Sequence, residues 1–161
     1  MGHTYIKLHN YNKALDYYKQ SLNAFMKTGE ERGQADVYSN ISAVYQSLGD
    51  NSQAMENYKH ALCIHKKFGE EREQADVYYG IGAVYQSLGD NGQAMVNYKH
   101  ALCIHKKFGE ELKQADVYYG IGAVYQSLGD NGKAMENYKN ALCIFEKFGE
   151  ERKQAQVYNN I

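Results

Sequence analysis

The sequence contains no proline, no tryptophan and no continuous apolar stretch of the roughly 20 residues that a membrane-spanning helix needs. Its polar start, Met1 to Tyr5, gives no signal-peptide pattern. The net charge of −1 at pH 7 provides no field that would hold a nucleic-acid backbone or an anionic membrane surface. We therefore expect neither nucleic acid nor membrane among the partners.

Cysteine is also scarce, and its three copies, Cys63, Cys103 and Cys143, recur at one phase of a repeat. Equivalent helices in a stack lie about 8–10 Å apart, whereas a disulfide needs Cα atoms within about 7 Å. We therefore predict buried, unbridged structural thiols. The simplest setting for them is a reducing, cytoplasmic compartment.

The chain that remains is 43% hydrophobic, with 16 tyrosines, and it repeats itself every 40 residues. Residues 75–114 and 115–154 differ at six of 40 positions. A fixed period in this range is typical of a solenoid. We divide the chain as a single array: 1–34 is a partial first repeat, 35–74, 75–114 and 115–154 are full repeats, and 155–161 starts a truncated further repeat.

The apolar spacing within each repeat predicts two amphipathic helices, as in the steps of three or four from Tyr38 through Ile41 to Tyr45. Gly49 is placed to end the first helix in a left-handed conformation. Asp50 is placed to cap the next helix, with Gln53 as its capping-box partner. In the partial first repeat we expect the first helix to end near Leu8 and the second to cover about 11–28.

Each full repeat then offers a tyrosine, an aliphatic residue followed by a small one, a tyrosine, an alanine, a tyrosine and an alanine. In the first copy these are Tyr38, Ile41-Ser42, Tyr45, Ala54, Tyr58 and Ala61. This pattern resembles the tetratricopeptide repeat. The period of 40 instead of 34, and Lys66 in place of the usual proline, resemble the longer subclass of kinesin-light-chain-type adaptors. The resemblance implies an all-α, right-handed superhelical solenoid of antiparallel helix pairs that binds proteins without catalysis.

Patterns that could carry chemistry are weak. Gly80-Ile81-Gly82 lies within a helix and follows no strand, so it predicts close helix packing rather than dinucleotide binding. His60 and His65 are five residues apart and therefore about 140° apart around a helix, which prevents them from chelating one metal. We expect surface or packing histidines, and no catalytic, metal or cofactor site.

The resemblance implies that residues of the first helix of each repeat form a concave partner-binding surface. The candidates are Asp36, Ser39, Asn40, Ala43, Gln46, Asp76, Tyr79, Ala83, Gln86, Asp116, Tyr119, Ala123 and Gln126. Tyr79 and Tyr119 are either rigid anchors for a peptide or helix, or rings that fill the space beside Gly80 and Gly120. A mildly acidic groove favours a ligand with lysine or arginine among apolar anchors, and a carboxylate clamp is not expected.

Two other roles compete with the scaffold. One is a self-assembling array, in which residues 155–161 dock on residues 1–8 of another copy and form a homo-oligomer by end-to-end stacking. The other is a regulatory arm of a larger signalling enzyme. The partial helices at both ends also lead us to expect a piece of a longer array.

Overall fold

The computed structural model describes residues 2–161, with side chains from Asn10 onward. This part of the chain forms eight α-helices and no strand, which confirms the all-α prediction. The helices are α1 Gly2–Thr28, α2 Glu31–Ser47, α3 Asn51–Phe68, α4 Glu71–Ser87, α5 Asn91–Lys107, α6 Glu111–Ser127, α7 Asn131–Lys147 and α8 Glu151–Tyr158.

Glycine ends each helix up to α7. Gly29, Gly49, Gly69, Gly89, Gly109, Gly129 and Gly149 all have φ between 68° and 79°. That left-handed conformation is open to glycine at little cost, so one helix ends every 20 residues. Two helices therefore make one 40-residue repeat. We call the first helix of each repeat helix A (α2, α4, α6 and α8) and the second helix B (α1, α3, α5 and α7).

The two kinds of turn are held differently. At the turn from helix A to helix B, the Asp50 carboxylate accepts a hydrogen bond from the Gln53 backbone N–H at 3.0 Å, as predicted. The other half of the capping box is absent, because the Asp50 N–H donates to the Tyr45 carbonyl. At the turn from helix B to helix A, a glutamine side chain makes the stabilising contact, because Gln74 Nε2 donates a hydrogen bond to the His65 carbonyl at 3.2 Å.

The partial first repeat differs from the expectation. Residues 2–28 form one continuous helix, so the predicted helix end near Leu8 is wrong. The reason lies in the sequence, since His9 stands where the later copies carry Gly49, Gly89 and Gly129. Without a glycine to adopt the left-handed conformation, nothing at this point ends the helix.

The chain divides into two compact units, Met1–Gly80 and Ile81–Ile161. Leu15, Val37 and Ile41 form a buried cluster in the first unit, called unit 1 below. In the second, unit 2, the cluster consists of Ala115, Ala134, Tyr138, Ala141, Phe145 and Val157. Small alanines bring the helices close together, and tyrosine rings fill the space between them.

The cysteine prediction is half right. Cys63, Cys103 and Cys143 are free, but all three are exposed rather than buried. Cys63 follows the buried Ala61 by two positions, which turns it about 200° around the helix and away from the core. The two histidine phases separate as predicted: His60 is exposed, whereas His65 is 2% exposed.

Candidate partner-binding surface

The predicted binding residues all lie on helix A and outside the buried core. Asp36, Asn40, Ala43, Asp76 and Gln126 are exposed, and Ser39, Gln46, Tyr79, Ala83, Gln86, Asp116, Tyr119 and Ala123 are half-buried. The buried face of the same helices is formed by other positions, such as Val37 and Ile41 on α2. Binding a partner through these residues would therefore not require the core to open.

Three of these residues have a structural partner that the sequence did not suggest. The hydroxyls of the buried Tyr58, Tyr98 and Tyr138 donate hydrogen bonds to the side-chain oxygens of Gln46, Gln86 and Gln126 at 3.3, 2.7 and 2.9 Å. Each glutamine thus satisfies a polar group that would be costly to bury alone. Burial raises the pKa of the Tyr58 hydroxyl to about 12.

The helix-A glycines allow the close approach that the sequence indicated. In unit 2, the Tyr98 ring lies against Gly82 of α4 and Gly120 of α6. A Cβ atom placed on either glycine would come within 2.8 Å of that ring. The first full repeat has Ser42 at the position of Gly82; it is buried, and its hydroxyl donates to the Tyr38 carbonyl at 2.8 Å.

Tyr119 packs within unit 2. Its ring centroid lies 5.7 Å from that of Tyr138, and its hydroxyl accepts a hydrogen bond from Asn160 Nδ2 at 2.7 Å. These contacts hold the Tyr119 ring within unit 2, whereas the ring that lies against Gly120 is that of Tyr98. Because Tyr119 is only half-buried, a role as partner anchor stays a prediction.

Unit 1 contains an open cavity of about 290 Å³ lined by Asp36, Ser39, Asn40, His65, Glu73 and Asp76, which we call the acidic cavity. It brings together four of the predicted residues from α2 and α4. Three of its six lining residues carry carboxylates, and none is lysine or arginine. The Ser39 hydroxyl oxygen is buried there and has no hydrogen-bond partner.

Sequence reasoning missed Glu73 and His65 as members of this site. His65 belongs to α3, and it reaches the cavity because α2, α3 and α4 fold back on one another. Its Nδ1 contacts Glu70 Oε2 at 2.9 Å, and Glu70 Oε1 contacts Arg32 Nε at 3.0 Å. The Glu70 carboxylate is therefore shared by two nitrogen groups behind the cavity, which fixes the position of the imidazole.

The described residues contain neither a candidate metal site nor a candidate membrane-spanning helix. From Asn10 onward, where side chains are described, no three histidine, cysteine or acidic side chains are grouped so that they could hold a metal ion. In the same part of the chain, no helix combines the length and the apolar character required to cross a membrane.

The family comparison matches the tetratricopeptide repeat model at residues 1–67 and 73–147. No curated protein matches the sequence at a significant level. Among solved structures, BtubC (BKLC) from P. vanneervenii is 25% identical with a TM-score of 0.77, over 91% of this chain and 61% of that one. A Rap protein complexed with competence and sporulation factor is 22% identical with a TM-score of 0.79, over 99% and 50%.

The tetratricopeptide repeat domain of Arabidopsis FLU is 23% identical with a TM-score of 0.62, over 81% of this chain and 98% of that one. The chain thus spans less than two thirds of the BtubC and Rap chains and nearly all of the FLU domain. These proteins share the fold of helical repeat solenoids, which confirms the predicted fold class. Since the family model covers most of the sequence, the chain belongs to the tetratricopeptide repeat family.

Proposed function

We propose that this chain is a non-catalytic scaffold that holds a peptide or helix of a partner protein on its helix-A face. Tetratricopeptide repeat proteins are generally interaction scaffolds without catalytic activity. The main observation in its favour is the acidic cavity, because four of the predicted partner-binding residues line it: Asp36, Ser39, Asn40 and Asp76.

Preformed geometry favours this role. Helix B packs behind the helix-A residues and holds them, for example where the Gln46 side-chain oxygen accepts a hydrogen bond from the Tyr58 hydroxyl. A partner would therefore bind side chains that are already ordered. Less conformational entropy is then lost on binding. The complex of the structurally similar Rap protein with competence and sporulation factor is consistent with a binding role for an array of this fold.

The setting we propose is cytoplasmic. Three free cysteines lie exposed at the surface, at residues 63, 103 and 143. Exposed thiols on a secreted protein are prone to oxidation, and a reducing compartment keeps them free.

Peptide selection followed by a blocking substitution tests the proposal. Peptides would be selected on the immobilised protein from a random displayed library, and their dissociation constants measured by calorimetry. Ala43→Arg places a long charged side chain on the exposed helix-A face of α2. Cys63→Arg is the matched control, because it adds the same charge at an exposed position of helix B in the same unit.

We expect Ala43→Arg to weaken binding about tenfold or more and Cys63→Arg to leave it unchanged, since only the first obstructs the proposed surface. Equal binding by wild type and Ala43→Arg would refute the helix-A face as the binding surface.

Sedimentation velocity over a hundredfold range of concentration tests the self-assembly rival. A series of growing species would favour an assembling array, and one monomeric species would favour the scaffold.

A further inference from the structure

We propose that the acidic cavity of unit 1 is an acceptor for one lysine or arginine side chain of the partner. This inference rests on the proposed function and names the chemistry of its ligand.

The cavity carries negative charge that its own lining does not neutralise. The carboxylates of Asp36 of α2 and Glu73 of α4 make no ion pair or hydrogen bond with any residue in the part of the chain that the structure describes. Both side chains line the same cavity. Like charges placed together repel one another, and a cation bound among them removes that repulsion.

Unit 2 presents the same position with a cation bound. Asp116, Phe145 and Lys153 follow Asp36, His65 and Glu73 by 80 residues, which is two repeat periods. Lys153 Nζ contacts both carboxylate oxygens of Asp116, at 2.7 and 2.8 Å. It also lies 5.3 Å from the centre of the Phe145 ring.

The comparison between the two units identifies what is missing in unit 1. In unit 2 the aspartate of one helix A receives an ammonium group from the next helix A, as Asp116 does from Lys153. In unit 1 the position of that lysine is taken by Glu73. The aspartate is kept and the internal cation is replaced by an acid, so a cation that binds here has to come from another molecule.

A second difference between the units makes room for that cation. Ser39 stands at the position of Tyr119, whose ring packs on Tyr138 in unit 2. The smaller residue leaves the cavity of about 290 Å³ open, which is several times the volume of about 30 Å³ that one water occupies in the liquid. The buried Ser39 hydroxyl, which has no partner, supplies a further oxygen for an ammonium or guanidinium group.

The test uses peptides selected on the wild-type protein and their copies in which each lysine or arginine is replaced by glutamine. Among the protein variants, Glu73→Lys introduces the residue that unit 2 carries at this position. Lysine already occupies the equivalent positions of the next two repeats, as Lys113 and Lys153, so the fold tolerates it. Glu73→Gln removes the charge with little change of shape. Glu56→Lys is the control, because it makes the same charge change at an exposed helix-B position.

We expect one basic residue of the peptide to account for about a fivefold gain in affinity on the wild type, as for a partly exposed ion pair. That gain should disappear on Glu73→Lys and shrink on Glu73→Gln. Glu73→Lys should weaken the basic peptide about tenfold, and Glu56→Lys less than twofold, since the Debye length of about 8 Å at physiological salt limits distant effects.

The outcomes separate the inference from the proposed function. Suppose that Ala43→Arg blocks the peptides, but that replacing their basic residues by glutamine changes the affinity for the wild type and for Glu73→Lys by the same factor. The helix-A surface is then supported as the binding surface, and the acceptor for a basic side chain is refuted. Selected peptides without enrichment in lysine or arginine would refute it too. If Ala43→Arg has no effect, or if no peptide is recovered, the proposed function fails and the inference fails with it.

Discussion

The contact between Gly120 and the Tyr98 ring leads to a prediction in which two opposing effects differ in size. Gly120→Ala would place a Cβ atom 2.8 Å from Tyr98 Cζ, closer than carbon atoms pack. The ring cannot move away freely, because Gly82 lies against it and its hydroxyl is held by Gln86 at 2.7 Å. Tyr98 is only 2% exposed, so its ring cannot swing out into the solvent without opening the core.

The magnitude follows from the two terms. Replacing glycine by alanine within a helix stabilises it by up to about 1 kcal/mol. Forcing an additional carbon into a filled core costs about 1–3 kcal/mol, and the confinement of Tyr98 places Gly120 in the upper half of that range. We therefore expect Gly120→Ala to lower the free energy of unfolding by about 1–2 kcal/mol.

The matched control is Gly132→Ala in the same unit. A Cβ atom at Gly132 would lie 3.7 Å from the Asp130 carboxylate oxygen, an ordinary contact, at an exposed helix position. Only the propensity gain remains there, so we expect this variant to be about 0.5 kcal/mol more stable than the wild type. Thermal unfolding followed by circular dichroism would show shifts of opposite sign, at about 2–4 °C per kcal/mol for a chain of this size. Stabilisation by both substitutions would refute the role assigned to the ring.

Two further measurements address residues at known exposure. All three cysteines should react with a maleimide in the folded protein, as intact-mass spectrometry would record; protection of any one before unfolding would contradict its exposed position. Because burial raises the pKa of Tyr58 from 10.0 to about 12, the neutral hydroxyl is favoured in the folded state, so its contribution to stability is complete below about pH 10 and is lost between about pH 10 and 12. Tyr58→Phe should remove that part of the alkaline destabilisation in urea titrations, and an unchanged pH profile would argue against it.

The sequence was sufficient wherever the physical rule is local. A glycine such as Gly49 ends a helix and Asp50 caps the next because these effects act within one turn of the chain. The exposure of Cys63 was also available from local geometry, since it follows Ala61 by two positions. Recurrence at one phase of the repeat does not by itself indicate burial, and the angle of about 200° from the buried Ala61 places Cys63 on the outer side of its helix.

What depends on packing between helices could not be read in advance. The tyrosine–glutamine hydrogen bonds join residues 12 positions apart across a turn, and their geometry depends on how closely the two helices approach. Glu73 lines the acidic cavity together with residues of α2 and α3, which are distant in sequence, and its sequence neighbours do not mark it as a binding residue. Its significance appears only by comparison with Lys153 in the equivalent position.

One set of positions, at which the repeats are nearly identical, maintains the fold, and another set, at which they differ, distinguishes the proposed site. Residues shared by the repeats, such as Ala115, Val117 and Tyr138 in unit 2, are buried and maintain the stack of helices. The two departures that distinguish the acidic cavity lie outside that core: Ser39 replaces a tyrosine and Glu73 a lysine. In unit 2 the corresponding tyrosine and lysine make internal contacts instead. On the proposed function, a nearly uniform solenoid gains its binding specificity through the few positions at which its repeats differ.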